Sequence, residues 1–323
     1  MQFVNFGSFY IQTMNTFSIA IHGGAGTLVK GMMTPEKEIV YKQALQKALD
    51  CGYAILENGG TAVDAVENAV KTLEDSHLFN AGKGSVFTAT ESHEMDASIM
   101  DGKTLEAGAV TLITGIKNPV SLARDVMEKS EHVFLAGEGA MQFAKANRYE
   151  LETPDYFYDE LRHQQWLAIK DTDNFQLDHS AQKDSKFGTV GAVACDKNGN
   201  IAAATSTGGM TNKRYGRVGD SPMIGAGNYA NNKTCAVSCT GSGEFFIRGV
   251  VAYDVSCLME YKGLSLEAAS NEVINKRIIE IGGDGGLIAV DAQGNISMPF
   301  NTEGMYRGVK TSGGLDTVLI YKE

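Results

Sequence analysis

The sequence predicts an α+β protein in which sheets of mostly antiparallel strands are covered by layers of helices, an αββα sandwich. Helical segments occur in pairs, and the extended segments follow one another through tight turns instead of βαβ crossovers. A polar stretch separates two parts of the chain that share this arrangement. With 323 residues, 43% of them hydrophobic and 21% charged, the chain is long enough for one large globular domain.

The first elements are predicted from an apolar run and two helix starts. Residues 17–24 (FSIAIHGG) form an apolar, β-branched run that ends in glycines, which is typical of a buried strand entering a tight loop. Thr34 and Pro35 then provide an N-cap and a proline in the first helical turn. Thr61 starts a second helix, with Asp64 at the spacing of a capping box.

The middle of the chain returns to extended segments and then to helices. Three successive strands are predicted by SVFTATES (85–92), HEMDASIMDG (93–102) and AGAVTLITG (107–115). Helices are predicted over 119–129, 137–147 and 155–169. Residues 171–187 are polar and follow neither period, so we interpret them as a flexible linker.

The part after the linker starts with the strongest hairpin signal in the sequence. Two apolar arms within 188–206 flank Asn198-Gly199. Helices are expected over 244–261 and 265–280, and a second hairpin over 287–300 turns at residues 293–295. At the other end of the chain, we expect residues 1–16 to be a disordered extension.

Charge and hydropathy restrict the partners of the protein. The formal net charge is −11 and the isoelectric point is about 5.1, so nucleic acid is an unfavourable partner. No apolar stretch approaches the length of a membrane span, and the first residues lack the basic segment of a secretory signal. We therefore expect a cytoplasmic protein without nucleic acid or membrane partners.

Several familiar catalytic motifs are missing. The six histidines form no HExxH or HxxxH pair, and no GxSxG sequence occurs. Residues 225–230 (GAGNYA) match a loose dinucleotide-binding pattern but lack the preceding strand and the following helix. These observations disfavour a helical zinc site, an α/β-hydrolase nucleophile and nucleotide binding.

Glycine and threonine are concentrated in TSTGGMTNKRYGRVGD (205–220) and SCTGSGE (238–244). Glycines outside helices indicate a close backbone approach or a positive φ, either for packing or beside a ligand. Arg217 and Asp220 lie in this region, and their spacing is compatible with two interpretations. They could form a surface ion pair, or they could bind the carboxylate and the ammonium of a zwitterionic substrate.

The motifs of the second part and several of the first occur together in one known family. The segments are HGGAG (22–26), NAGKGSVF (80–87), GTVGAVA (188–194), TSTGGMTNKRYGRVGDSPMIGAG (205–227), SCTGSGE (238–244) and GMYRG (304–308). In this order, they resemble the plant-type L-asparaginase and isoaspartyl peptidase family over residues 17–323. Only the N-terminal extension and the linker fall outside the resemblance.

The resemblance implies an N-terminal-nucleophile (Ntn) hydrolase fold and self-cleavage between Gly188 and Thr189. An α subunit (1–188) and a β subunit (189–323) would together form one domain. The implied catalytic residues are Thr189, Thr207, Thr240 and Gly241. The implied substrate-binding residues are Arg217, Asp220, Thr240, Gly241, Gly243 and Asn80.

The resemblance also implies an (αβ)₂ homodimer, no cofactor for catalysis, and a structural sodium ion. The ion would be held by main-chain oxygens near Leu73, Glu74, Ser76, Phe79, Ala81 and Lys83. It implies a small-molecule or dipeptide substrate, and the expected reaction is the release of aspartate from L-asparagine and from β-aspartyl (isoaspartyl) dipeptides and peptides.

Elementary chemistry supports a nucleophile that is exposed by cleavage. A threonine hydroxyl needs a nearby base, and the Thr189 amide nitrogen of the intact chain is not basic. Cleavage would release an α-amine with a pKa of about 7.7–8.0, which suits proton transfer near neutral pH. Nucleophile and base would then belong to one residue, so the site would need no catalytic histidine.

Three alternatives remain at this point. A glycosylasparaginase would share the fold and the nucleophile, although such enzymes usually have Asp-Thr-Ile-Gly at the cleavage site, where this chain has Gly188-Thr189-Val190. A threonine endopeptidase of the taspase type would need a cleft for a protein. A non-catalytic relative is disfavoured because Thr189, Thr207 and Thr240 are all present.

Overall fold

The computed structural model of the chain describes residues 16–172 and 188–322. The strands are β1 (Ser18–Gly26), β2 (Met95–Asp101), β3 (Ala107–Ile113), β4 (Phe134–Ala136), β5 (Val190–Cys195), β6 (Ile201–Thr207), β7 (Asn228–Ala230), β8 (Cys235–Gly241), β9 (Gly285–Asp291), β10 (Ile296–Ser297), β11 (Gly304–Thr311) and β12 (Asp316–Tyr321). The helices are α1 (Pro35–Glu57), α2 (Ala62–Glu74), α3 (Pro119–Lys129), α4 (Gly137–Ala146), α5 (Pro154–Phe157), α6 (Glu160–Leu167), α7 (Gly243–Gly249), α8 (Val251–Lys262), α9 (Leu266–Glu272) and α10 (Ile278–Glu280).

Within these ranges the strands form two sheets. The larger sheet has the order β12-β11-β1-β5-β6-β2-β3-β4, and the smaller one has the order β10-β9-β8-β7. Neighbouring strands run antiparallel except for β3 and β4. Strand β1 lies between β11 and β5, so strands from before and after residue 188 alternate across the larger sheet.

Three apolar layers hold the elements together. Helices α1, α2 and α3 cover the outer face of the larger sheet, and α8 and α9 cover the smaller sheet. Between the sheets lies a third cluster, in which Val193, Ile288 and Met305 are buried. Burying apolar area contributes roughly 25 cal/mol per Å², so this layered packing is the main source of stability. The predicted αββα sandwich is confirmed.

Local sequence signals place the helices and the first hairpin as predicted. The Thr34 hydroxyl accepts a hydrogen bond from Lys37 N (3.3 Å), and the Thr61 hydroxyl accepts one from Asp64 N (3.1 Å). Strands β5 and β6 pair through the turn at Gly199, which has a φ of 75°. The positive φ explains why glycine occupies this position.

The strand predicted over 85–92 is wrong. This segment forms a turn because its hydroxyl side chains bond locally instead of leaving the backbone to pair with a neighbouring strand. The Thr88 hydroxyl lies 2.7 Å from Ser92 Oγ, and Thr88 N donates to the Ser92 carbonyl. Val86 N donates to the side chain of Asn80.

Two predicted helices are interrupted. The helix expected over 155–169 divides into α5 and α6 because the Asp159 side chain accepts from Arg162 N and caps a new helix. The helix expected over 244–261 breaks at Val250, which has a φ of 48°. There, tertiary contacts override the helical pattern, because Ala252 N and Tyr253 N donate to the carbonyls of the 225–226 loop.

Two predicted segments lie largely outside the described residues. These are the N-terminal extension, of which only residue 16 is described, and the linker beyond residue 172. In the part of the chain that the structure describes, none of the helices is long and apolar enough to cross a membrane.

Candidate active site

Thr189 lies at the start of β5, in the middle of the larger sheet. It is buried, and its hydroxyl lies 3.1 Å from Ser221 Oγ. Its carbonyl oxygen lies 3.0 Å from Nδ1 of His22 on β1. The described partners of Thr189 are therefore two uncharged side chains, and neither of them is a strong base.

Gly188 is packed between β1 and β8. A methyl group added to Gly24 would lie 2.5 Å from Gly188 N, and one added to Gly188 would lie 3.0 Å from Thr240 Oγ1. Thr240 is fully buried, and its hydroxyl has no hydrogen-bond partner among the described residues. Because an unpaired buried hydroxyl is costly, this group is well suited to donate to an oxygen that becomes charged.

The β5–β6 register brings the second predicted threonine close to the first. Val190 is opposite Ser206, so the preceding residue of β5, Thr189, lies at the same end of the sheet as Thr207. The Thr207 hydroxyl accepts a hydrogen bond from Gly209 N (3.0 Å). Its own proton therefore stays available to the site.

Asn80 supports the turn that follows Thr207. Its side-chain nitrogen donates to the Gly209 carbonyl (2.7 Å), and its main-chain oxygen accepts from Gly208 N (3.0 Å). Its side-chain oxygen accepts from Val86 N (3.1 Å). Asn80 thus lies beside the turn that follows Thr207, and its contacts hold that turn.

Arg217, Asp220 and Gly243 lie together next to this turn. Arg217 Nε and Nη2 donate to the two carboxylate oxygens of Glu244 at 2.8 and 3.0 Å. A methyl group added to Gly243 would lie 3.0 Å from both Arg217 Nη2 and Asp220 Oδ1. Glycine is needed here because the two side chains approach the backbone so closely.

Asp220 is buried rather than exposed, so the alternative of a surface ion pair between Arg217 and Asp220 is wrong. Its Oδ2 has no hydrogen-bond partner within the described part of the chain. Burial raises the pKa of Asp220 to about 7, although the positive charge of Arg217 opposes the shift. A buried carboxylate with a free oxygen can bind an ammonium group.

Gly241 follows Thr240 at the end of β8, opposite Gly285 of β9. A methyl group at Gly241 would overlap the Asp284 carbonyl oxygen. The absence of a side chain therefore allows β8 and β9 to approach closely beside Thr240. In this arrangement Gly241 places its backbone beside Thr240.

Four residues that contact the site are not among the predicted site residues: His22, Ser221, Ser238 and Glu244. Ser221 directly follows Asp220 and touches the Thr189 hydroxyl, while Ser238 lies 2.9 Å from His22 Nε2. HGG at the end of β1 was a visible signal for His22. Ser221 and Ser238 also lie in motifs, 205–227 and 238–244, but these do not show which side chains they contact, because those partners are far away in the chain.

The predicted sodium loop has main-chain oxygens directed inward. A methyl group at Gly82 would lie 2.5 Å from the Glu74 carbonyl oxygen, and one at Gly84 would overlap the carbonyl oxygens of Phe79 and His77. Hard cations such as sodium prefer oxygen ligands, and the carbonyl oxygens of Glu74 and Phe79 belong to the expected ligand set.

The remaining predicted sodium ligands lie in the same loop. The carbonyls of Leu73 and Ala81 accept hydrogen bonds from Ser76 N and Gly84 N. Ser76 Oγ accepts from Leu78 N, and the Lys83 ammonium lies over the Tyr156 ring. These contacts make the loop compact, and the ligands expected for the ion are main-chain oxygens instead of side chains.

The chain matches the model of one known family over almost its whole length. This model, described as asparaginase, matches residues 15–320 of the chain. The chain belongs to the asparaginase family. This confirms the family expected from the motifs, and it identifies the chain as a hydrolase of the threonine-nucleophile type.

Curated members of the family are similar over nearly their whole length. An isoaspartyl peptidase of Escherichia coli (strain K12) is 52% identical over 308 residues, which cover 94% of this chain and 96% of that protein. An isoaspartyl peptidase of Salmonella typhimurium is also 52% identical, covering 96% and 100%. A plant-type L-asparaginase of Pyrococcus horikoshii is 43% identical, covering 89% and 94%.

Proposed function

We propose that the chain is an amidohydrolase that cleaves itself between Gly188 and Thr189 and then releases aspartate from L-asparagine and from β-aspartyl peptides. The observation that carries the proposal is the position of Thr189, which directly precedes the central strand β5, is buried, and has its hydroxyl 3.1 Å from Ser221 Oγ. The similar relatives named isoaspartyl peptidase and plant-type L-asparaginase support the choice of substrates.

In the first step, Thr189 Oγ attacks the carbonyl carbon of Gly188. The hydroxyl proton passes to the departing amide nitrogen, and the C–N bond breaks to leave an ester between Gly188 and the Thr189 side chain. Water then hydrolyses the ester, which yields a Gly188 carboxylate and a free Thr189 amine. Thr240 Oγ1, which borders Gly188, stabilises the oxyanion of the intermediate.

Turnover repeats this chemistry on the substrate. The free amine accepts the proton of the Thr189 hydroxyl, and the oxygen attacks the side-chain carbonyl of asparagine or the β-carbonyl of an isoaspartyl bond. Ammonia or a peptide amine leaves with that proton. Water then cleaves the aspartyl ester and releases aspartate, while Thr240 and the Gly241 backbone stabilise both tetrahedral intermediates.

Arg217 and Asp220 recognise the part of the substrate that both reactions share. The guanidinium fork that holds Glu244 has the geometry for an α-carboxylate, which would replace the Glu244 carboxylate there. The free oxygen of Asp220 would bind the α-ammonium. Only the aspartyl end is gripped, so the leaving group can vary.

Two further features of the family are proposed for this chain. A sodium ion bound by the loop carbonyls of Glu74 and Phe79 would fix the loop that leads to Asn80. The cleaved pieces, 1–188 and 189–323, would assemble as an (αβ)₂ dimer. Both proposals can be tested on purified enzyme, by removing sodium and by measuring the molar mass.

The decisive test compares wild type with Thr189→Ala on a denaturing gel, with intact mass and N-terminal sequencing over several hours. The 34.6 kDa chain should divide into pieces of about 20 and about 14 kDa, in proportion to 188 and 135 of its 323 residues. The new N-terminus should be Thr189, and the variant should stay whole. A wild-type chain that stays whole yet releases aspartate would refute the free-amine mechanism.

A further inference from the structure

His22 is a buried imidazole next to the nucleophile, and the reaction above gives it no step. It is fully buried on β1, where Nδ1 lies 3.0 Å from the Thr189 carbonyl oxygen and Nε2 lies 2.9 Å from Ser238 Oγ. Neither partner carries a charge. The contacts therefore suit a neutral ring with a fixed orientation.

The partners determine which ring nitrogen carries the proton. A carbonyl oxygen can only accept, so Nδ1 must donate to Thr189. Burial lowers the pKa of His22 to about 3, so at neutral pH the ring has this one proton only. Nε2 is then an acceptor, and the Ser238 hydroxyl must donate to it.

The chain of hydrogen bonds continues from Ser238 away from the site. Ser238 Oγ lies 2.7 Å from Thr205 Oγ1, and since the Ser238 proton is already engaged, Thr205 donates here. The Thr205 hydroxyl also lies 3.2 Å from the Gly227 carbonyl, which is the longer contact. Asn228 Nδ2 donates to Thr205 Oγ1 at 3.3 Å. All these donors therefore point along one direction, toward Thr189.

Gly191 makes this close arrangement possible. It is the β5 residue opposite His22, and a methyl group there would overlap both His22 Nε2 and Ser238 Oγ. The chain of hydrogen bonds thus depends on a glycine two residues after the nucleophile. No other role is needed to explain this glycine.

We propose that His22 is a positioning residue that fixes the carbonyl of Thr189 after the bond to Gly188 has been cut. The inference rests on the proposed function. Cleavage removes the covalent restraint on the N-terminal side of Thr189, and the new amine must stay free to take up a proton. The carbonyl is the main-chain group that remains to be held, and His22 holds it from the opposite strand.

The first test is the protonation state of His22, measured by ¹⁵N NMR on cleaved enzyme labelled at histidine. The signals are assigned by their loss in His22→Gln. We expect a neutral ring protonated at Nδ1 that does not titrate between pH 5.5 and about 8. A ring protonated at Nε2, or one that gains a charge near pH 6.5, would overturn the proposal.

The second test compares two amide variants by kcat per cleaved chain. The side-chain nitrogen of His22→Asn reaches the position of Nδ1, whereas that of His22→Gln reaches the position of Nε2. The positioning role predicts that Asn keeps kcat within about tenfold, and that Gln loses about 100-fold with a similar KM. If the role is only to fill space, the larger Gln should be the better replacement, and that result would overturn the proposal.

The third test leaves His22 and Thr189 unchanged. Ser238→Ala removes the donor that orients the ring, so kcat should fall by roughly 3- to 10-fold, the range of one hydrogen bond. Ser256→Ala is the matched control. It removes a buried hydroxyl that lies 2.7 Å from Thr234 Oγ1, away from the site. Equal kcat values in Ser238→Ala and wild type would contradict the proposal.

These outcomes are distinct from a failure of the proposed function. If wild type releases no aspartate, the function itself is wrong. If wild type is active but the NMR or Ser238→Ala result is negative, only the role of His22 is wrong. Should an amide variant fail to cleave itself, the NMR experiment and Ser238→Ala still decide.

Discussion

The two ends of the site differ in electrical character. The imidazole of His22 and the hydroxyl of Ser221, which contact Thr189, are neutral, and so is the Thr240 hydroxyl beside the preceding Gly188. Where the substrate's amino-acid end would bind, the side chains of Arg217, Asp220 and Glu244 are ionisable. The first end must stabilise a charge that arises only during the reaction, and the second must recognise charges that are always present.

The two ends should therefore act on two different quantities, the stabilisation of the transition state and the binding of the substrate. Neutral dipoles aimed at a developing oxyanion stabilise the transition state more than the bound substrate, so they should control kcat. Fixed charges that grip the substrate's own carboxylate and ammonium act equally on both states, so they should control KM. Substitutions at three residues, Thr240, Arg217 and Asp220, can show whether the two ends are really so separate.

The largest effect is expected at the neutral end, from Thr240→Val. This change keeps the shape of the side chain but removes the unpaired hydroxyl, so kcat should fall by about 100- to 1000-fold with little change in KM. Steady-state kinetics per cleaved chain would measure the effect. Thr234→Val, which removes another buried hydroxyl in the turn before β8, should keep the wild-type kcat. A rise in KM as large as the fall in kcat would break the distinction.

At the charged end, Arg217→Ala should raise KM for asparagine by about 100-fold while kcat changes much less. Arg217→Lys keeps the charge but loses the planar fork, so a rise of about tenfold is expected. Initial rates over a wide range of substrate concentration would measure both. Arg124→Lys, in the α3 ion-pair cluster, serves as the control. If kcat fell and KM stayed constant, Arg217 would act in the transition state instead.

The smallest effect is the pH dependence that Asp220 gives to binding. Its pKa is raised by burial to about 7, so the carboxyl group is protonated below that pH and loses its attraction for the ammonium. KM should therefore rise by about tenfold per pH unit as the pH falls below about 7. Asp220→Asn should have a higher KM that no longer depends on pH in this range. A wild-type KM that is constant from pH 5.5 to 8 would contradict this.

The same shift has a predictable consequence for stability without substrate. Because the pKa of Asp220 in the folded protein lies above its ordinary value of 3.8, the folded state binds more protons than the unfolded state between pH 3.8 and about 7. This residue's contribution to stability therefore decreases as the pH rises through that range. Chemical denaturation of wild type and Asp220→Asn at several pH values would show the difference.

Sequence patterns predicted the features that depend on neighbours in the chain. The caps at Thr34 and Thr61 and the turn at Gly199 follow from local chemistry. The pattern failed where distant contacts override it, as at Val250, where the next helical turn donates to the 225–226 loop. At residues 85–92, hydroxyl side chains form local hydrogen bonds, and the segment does not pair as a strand.

The site divides in the same way. Threonines and glycines in recognisable motifs were predicted, and the structure brings Thr189, Thr207 and Thr240 to one region. The roles of Ser221, Ser238 and Glu244 depend on which side chains the sheets place face to face. No spacing along the chain encodes such contacts, so the neutral environment of the nucleophile became visible only in three dimensions.

The placement of β1 between β5 and β11 has a consequence for the life of the cleaved enzyme. If the chain is cut after Gly188, strands of the two pieces interleave in the larger sheet. Neither piece then contains four neighbouring strands of its eight. Folding must therefore come before cleavage. A cut molecule that unfolds can recover only through the meeting of two separate chains, so its refolding would depend on concentration, and its durability would be set by how slowly it unfolds.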